Sequence, residues 1–97
     1  MKEKVYKYLI NIPKGKVVTY GQIAEYLGNK KLARVVGNIL HNNPVEDKYP
    51  CYKVVDGKGN LSKHFAFGGI EKQKEKLEKE GIDVINYKVD LDKYKML

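Results

Sequence analysis

Cys51 is the only thiol in the chain, and it sits in Pro50-Cys51-Tyr52-Lys53-Val54-Val55. A thiolate is a strong nucleophile, but a free cysteine is more often a small buried hydrophobe. Arg34 is as solitary as Cys51: every other basic side chain apart from the two histidines is a lysine. A guanidinium is planar and can stack and donate in a fork, which an ammonium does poorly. With one cysteine, His41 and His64, the chain is poorly supplied for a metal site, and it cannot form an internal disulfide framework. No P-loop or dinucleotide fingerprint is present, so nucleotide hydrolysis and hydride transfer have no footing. The solitary cysteine and the solitary arginine are the two most distinctive groups in the chain.

The frame around these residues is small and basic. Ninety-seven residues suit one domain, taken as 1–97. Hydrophobic residues make up 42% and charged residues 32%, as in globular rather than disordered chains. Nineteen Lys+Arg against twelve Asp+Glu leave a net charge of +7, which favours a polyanionic partner, nucleic acid before membrane. No apolar run is long enough to span a bilayer and no signal-peptide pattern opens the chain. An intracellular setting is expected, cytoplasmic or nucleoid-associated, or nuclear in a eukaryote.

The elements that must position the site follow from periodicity. Val5, Tyr8, Leu9 and Ile12 have helical spacing over Met1–Asn11, and Pro13-Lys14-Gly15 stops that helix. Lys16-Val17-Val18 is an extended link. Thr19 is an N-cap with Gln22 as its capping-box partner, so a helix over Tyr20–Leu27 is expected, ended by Gly28-Asn29. A third helix over about Lys31–Leu40 carries Leu32, Val35, Val36, Ile39 and Leu40 as its stripe. Two helices joined by a short Gly-containing turn make a helix-turn-helix pattern. Asn42-Asn43-Pro44 breaks the third helix. Tyr52–Val55 reads as a short strand, Asp56–Asn60 as a hairpin turn, and Leu61 as the start of the return. A charged helix over Ile70–Lys79 is anchored by Ile70 and Leu77 and closed by Gly81. The tail alternates around Val84, Tyr87, Val89 and Leu91 as a ribbon. The fold class expected is mainly α with a small β ribbon, a winged-helix-like DNA-binding domain containing a helix-turn-helix.

Several of these motifs, in this order and at these intervals, resemble the C-terminal active-site domain of the O6-alkylguanine-DNA alkyltransferases and the shorter alkyltransferase-like proteins. Thr19-Tyr20-Gly21-Gln22-Ile23-Ala24 matches the opening of that family's first DNA-binding helix. Ala33-Arg34-Val35-Val36-Gly37 matches its recognition helix. Asn43-Pro44 matches its hinge, eight residues ahead of Cys51. Pro50-Cys51 opens its signature, Pro-Cys-His-Arg-Val or Pro-Trp-His-Arg-Val. Gly68-Gly69 and Glu80-Gly81 keep the family's spacing. The resemblance runs from about Val5 to Tyr94.

The resemblance implies a double-stranded DNA partner containing O6-alkylguanine, with the damaged base flipped out of the stack. It implies that Arg34 fills the vacated space and that Tyr20 crowds the phosphate and offers a proton to the leaving base. Small Ala33 and Gly37 let the helix approach the minor groove. Asn43 is the hinge, and Cys51 accepts the alkyl group in a single turnover that needs no metal or cofactor. A monomer is expected, with excision-repair proteins as further partners.

The chain departs from the pattern at Tyr52, which stands where the family's water-linked histidine base stands, and at Lys53, which replaces an arginine. Glu80 matches the glutamate that orients that histidine. An unassisted cysteine thiol, with an ordinary pKa near 8.5, is only about 3% thiolate at pH 7. Lys53 could supply positive charge if it approached the sulfur, Tyr52 could hydrogen-bond Glu80, and His64 could enter from the loop before Gly68. Alkyl transfer to Cys51 is the leading expectation. The alternative is a non-catalytic lesion-binding protein that flags damage for excision repair, and a winged-helix regulator ranks third.

Overall fold

The computed structural model describes residues 1–43, 48–63, 65 and 67–96. Helix α1, Lys2–Ile10, buries Val5 and Leu9, and Ile12 beyond it completes the apolar face. Burial of side chains of this size stabilises the fold by about 1.5–3 kcal/mol each. Strand β1, Val18–Thr19, runs into helix α2, Tyr20–Tyr26. Thr19 Oγ1 accepts from the Gln22 amide at 3.1 Å and Gln22 Oε1 accepts from the Thr19 amide at 2.9 Å, closing the expected capping box. Ile23 and Ala24 are fully buried and Leu27 partly so.

Helix α3 spans Ala33–His41, two residues later than the periodicity suggests. Asn29 caps a 3-10 turn over Lys30–Leu32 through the Lys31 amide at 2.9 Å, and this turn uses up the residues expected to start the helix. Along α3, Val36 and Leu40 face the core, whereas Val35 is 38% exposed.

The segment after Cys51 is not one arm of a hairpin. Residues Cys51–Lys53 form a 3-10 turn, and strand β2, Val54–Val55, pairs in parallel with β1, Val18 opposite Val54 and Thr19 opposite Val55. The Asp56–Asn60 turn does form. Asp56 Oδ1 accepts from the Lys58 and Asn60 amides at 2.9 and 2.8 Å. The return, however, leads away from β2, and Asn60 bridges Lys88 instead. Gly59 makes this approach feasible: at φ +90°, a Cβ would stand 2.2 Å from the Val89 carbonyl oxygen.

The two-stranded parallel sheet divides the interior. Val18 and Val54 pack with Leu9, Ile23 and Val36, whereas Val17 and Val55 turn to Leu77, Ile82 and Val89. Helix α4, Gly69–Lys79, covers the second cluster through Leu77. Gly81, with φ +85°, follows its C-terminus as expected.

The tail forms the expected ribbon, β3 Val84–Ile85 against β4 Lys88–Val89. Its Asn86-Tyr87 turn has both φ angles positive, at +53° and +58°. A further short helix, α5 Leu91–Tyr94, is capped by Asp90 through the Asp92 amide at 3.0 Å. Beyond it Met96 donates to the Val17 carbonyl at 2.8 Å and accepts from Gln22 Nε2 at 2.7 Å, so the tail ends beside α2. Among the described residues no helix is long and apolar enough to cross a membrane.

Candidate alkyl-acceptor and nucleic-acid site

The parallel sheet explains why residues far apart in sequence meet. Tyr20 is the residue after β1, and Cys51 lies three positions before β2, so pairing the strands brings Tyr20 and the thiol to one end of the sheet. There they line a cavity of about 410 Å³ together with Gly37, Leu40, Ser62 and Phe65. Cys51 is 5% exposed. A Cβ added at Gly37 would sit 4.0 Å from the Tyr20 ring, in ordinary contact, so the small residue keeps the α3 wall clear of the phenol. Burial raises the Tyr20 phenol above its ordinary value, and a hydrogen bond with Ser62 offsets only part of this. Tyr20 is therefore a neutral donor at pH 7.

The sulfur is held by the chain before it. The Cys51 amide donates to the Tyr49 carbonyl at 2.7 Å, and the same carbonyl accepts from Asn43 Nδ2 at 2.7 Å. Asn43 is 6% exposed, so a buried amide joins the end of α3 to the segment carrying Cys51. The Tyr49 ring stacks on Tyr6 of α1 at 4.6 Å between centroids, and Tyr6 Oη donates to the Ile39 carbonyl at 3.1 Å. Pro44 of the Asn-Pro hinge lies outside the described residues, as does His64.

Tyr52 and Glu80 meet, as expected from the sequence: the phenol donates to Glu80 Oε2. Glu80 Oε1 accepts from the Lys53 ammonium at 2.9 Å and from the Gly15 amide at 3.0 Å. Burial would raise the Glu80 carboxyl, but the bonds from Tyr52, Gly15 and Lys53 outweigh it and hold the group below its ordinary value. The Lys53 expectation needs correction. Its ammonium points to Glu80 and to the Ile12 and Pro13 carbonyls at 3.3 and 3.1 Å, binding the α1–β1 link rather than reaching for the thiol.

Arg34 is the second residue of α3 and is exposed. Among the described residues it makes no hydrogen bond or ion pair, whereas Lys30 nearby pairs with Glu25 at 3.1 Å. Ala33 precedes it at the helix start. Thr19 does not line the cavity; it caps the helix that carries Tyr20. Sequence reasoning missed Asn38, His41 and Gln73 as cavity residues. The first two were legible, because Arg34, Asn38 and His41 form an i, i+4, i+7 polar stripe on α3. Gln73 was not: it sits in a charged helix, yet is 1% exposed. Its Nε2 donates to the Tyr52 and Val54 carbonyls at 3.0 and 3.1 Å, and its Oε1 accepts from the Ser62 amide at 2.8 Å. It is a buried staple between α4 and the segment that follows Cys51.

Among the described residues no group of three or more His, Cys, Asp or Glu side chains could hold a metal. Comparison with known proteins covers the helix-turn-helix and the Cys51 segment together. A DNA base-flipping protein of Vibrio parahaemolyticus is 41% identical over 93 residues, covering 95% of this chain and 91% of the relative. The crystal structure of Schizosaccharomyces pombe Atl1 with damaged DNA containing O6-carboxymethylguanine superposes with a TM-score of 0.90 at 36% identity, covering 99% of this chain and 94% of that one. The O6-methylguanine methyltransferase of Mycobacterium tuberculosis superposes with a TM-score of 0.72 at 35% identity; 81% of this chain matches 47% of that larger one. Residues 1–82 match the family described as the DNA-binding domain of 6-O-methylguanine DNA methyltransferase. With its helix-turn-helix and Cys51 cavity inside that match, the chain belongs to this family.

Proposed function

We propose that this chain is a single-domain DNA repair protein that recognises O6-alkylguanine in duplex DNA, turns it out of the stack and takes its alkyl group onto Cys51. The observation that carries the reading is the cavity shared by Cys51, Tyr20 and Gly37, with Arg34 one turn earlier on the same helix. Ala33 and Gly37 keep the helix face low against DNA. Arg34 occupies the gap left by the extruded base, and Asn43 fixes the segment that presents the sulfur.

The transfer balances without a cofactor. A sulfur lone pair forms a bond to the alkyl carbon as the carbon–O6 bond breaks, and that electron pair leaves with guanine. The thiol proton is released and guanine takes one up, with the Tyr20 phenol in the cavity as its donor. The product is a thioether on Cys51, so each molecule acts once. The Tyr52–Glu80 pair is a positioning device here. A neutral phenol is a weak base, and its hydroxyl is already donating to the carboxylate.

The test is intact-mass spectrometry after incubation with an O6-methylguanine duplex. The expected result is a gain of one methyl on the peptide containing Cys51, absent in Cys51→Ser. Bound lesion DNA without that gain would sink transfer. It would instead favour the second reading, lesion binding that flags the damage for excision-repair proteins. That reading draws support from Tyr52 at the base position, from Lys53 turned towards Glu80, and from the near-complete match to the alkyltransferase-like structure.

Tyr52→His gives a graded check. If the missing base limits transfer, the rate rises by about tenfold or more, in the range of general-base contributions. An unchanged rate would show that Cys51 is activated in another way. Under both readings the protein works as a monomer inside the cell, on double-stranded DNA.

A further inference from the structure

Residues beyond the matched 1–82 return to the base of the helix that carries Tyr20. Val17 turns both of its backbone groups to this tail. Its amide donates to the Tyr94 carbonyl at 2.9 Å, and its carbonyl accepts from the Met96 amide at 2.8 Å. The pairing is parallel, with Val17 opposite Lys95. Backbone groups alternate sides along a strand, and Val18 pairs with Val54 of β2. The tail therefore runs along the other edge of β1, which has a neighbour on each side just before the chain reaches Tyr20.

Gln22 ties the same tail to α2. Its Oε1 accepts from the Thr19 amide at 2.9 Å, and its Nε2 donates to the Met96 carbonyl at 2.7 Å. Tyr20 is the first residue of the turn held in this way. The Thr19–Gln22 capping box is local: it fixes where the helix begins, not how that first turn is directed in the molecule. Ile23 and Ala24 seat α2 on the core by apolar contacts, which have no direction of their own. The bond to Met96 is directional, joins residues 74 positions apart, and sits at the turn that bears the phenol.

Resting on the O6-alkylguanine reading above, we propose that Gln22 is a positioning residue for lesion recognition: through Met96 it makes the C-terminal tail part of the device that holds Tyr20 against the extruded nucleotide. The phenol meets the nucleotide only after extrusion. A misdirected Tyr20 therefore weakens the lesion complex and leaves the encounter with undamaged duplex as it was.

Two full-length variants cut the link from opposite sides. Gln22→Glu still accepts from the Thr19 amide, as a capping box requires, but has no donor for the Met96 carbonyl. Met96→Pro removes the amide that bonds Val17 and so releases the tail. Affinities for an O6-methylguanine duplex and its undamaged counterpart are measured for each. Each variant is expected to lower the lesion-to-undamaged ratio by about fivefold, the scale of one hydrogen bond. The double variant is expected to lose no more than either single one, because both break the same link. A structural role alone would lower stability in urea and leave the ratio at its wild-type value, which overturns the proposal. Additive losses in the double variant overturn it as well, since Gln22 would then not act through Met96. Should Met96→Pro fail to fold, the ratio for Gln22→Glu decides alone. Failure of the underlying reading has a separate signature: the wild type would not distinguish the O6-methylguanine duplex from the undamaged one.

Discussion

Replacing Glu80 with leucine is expected to cost about 3–5 kcal/mol of folding stability, the usual effect of removing one partner of a buried ion pair. Against a total of about 5–15 kcal/mol for a domain, this is a large share. The Lys53 side chain is 6% exposed and that of Glu80 13%. Without the carboxylate, the Lys53 ammonium keeps only the Ile12 and Pro13 carbonyls, the Gly15 amide loses its acceptor, and Tyr52 loses the group that holds its hydroxyl. Three segments are joined at this carboxylate: the α1–β1 link, the Cys51–Lys53 turn and the end of α4. Urea denaturation measures the loss. Lys53→Met combined with Glu80→Leu should recover part of it, because no unpaired charge remains buried. A single-variant loss below about 1 kcal/mol would mean that water replaces the pair freely.

The same carboxylate gives a pH signature. The folded-state value of Glu80 lies below the ordinary 4.5, so the unfolded chain takes up its proton first as pH falls. The stability it contributes is complete above that ordinary value and is lost as pH drops through it towards the folded value. Wild-type stability should therefore decline more steeply below about pH 4.5 than that of Glu80→Leu.

How much of this was legible in the sequence differs from element to element. The capping box of Thr19 and Gln22 is a local device, set by residues three apart, and the structure forms it as expected. The Tyr52–Glu80 contact was also foreseen, because the resemblance supplied the pairing across 28 positions. The parallel pairing of β1 with β2 was not. Two-residue strands carry almost no periodic signal, and Asp56-Gly57-Lys58-Gly59-Asn60 has real turn chemistry that pointed to a hairpin. The turn exists, but the first strand is claimed by a partner 36 residues upstream in register.

Lys53 failed for a related reason. Its charge was read against its near neighbour Cys51, yet the ammonium answers to Glu80 at the end of α4 and to two carbonyls of the α1–β1 link. Nothing within a few residues of Gln73 marks it as buried either, since its three partners come from the segments around Ser62 and Tyr52–Val54. Local capping and turn chemistry could be read directly; which distant backbone a polar side chain satisfies could not.

Arg34→Ala is expected to weaken binding to an O6-methylguanine duplex by tenfold or more, and to weaken it more than binding to undamaged DNA. Stacking and hydrogen bonding at an orphaned base are worth about 1–3 kcal/mol, and about 1.4 kcal/mol is tenfold. A phosphate contact contributes equally to damaged and undamaged duplexes, so its loss lowers both affinities and leaves their ratio. Lys31→Ala is the control, being an exposed cation three positions before Arg34, in the turn that leads into α3. It should reduce affinity uniformly and flatten the salt dependence. Arg34→Lys separates the remaining alternatives: it keeps the charge and loses the planar fork, so it should restore the salt dependence without restoring the lesion preference. Fluorescence of 2-aminopurine placed opposite the lesion reports whether the gap is filled. Equal effects of Arg34→Ala and Lys31→Ala on the lesion-to-undamaged ratio would reduce Arg34 to one more surface charge. In that case base extrusion would have to be driven from the Tyr20 side of the cavity, where the phenol and α2 are the groups left to push.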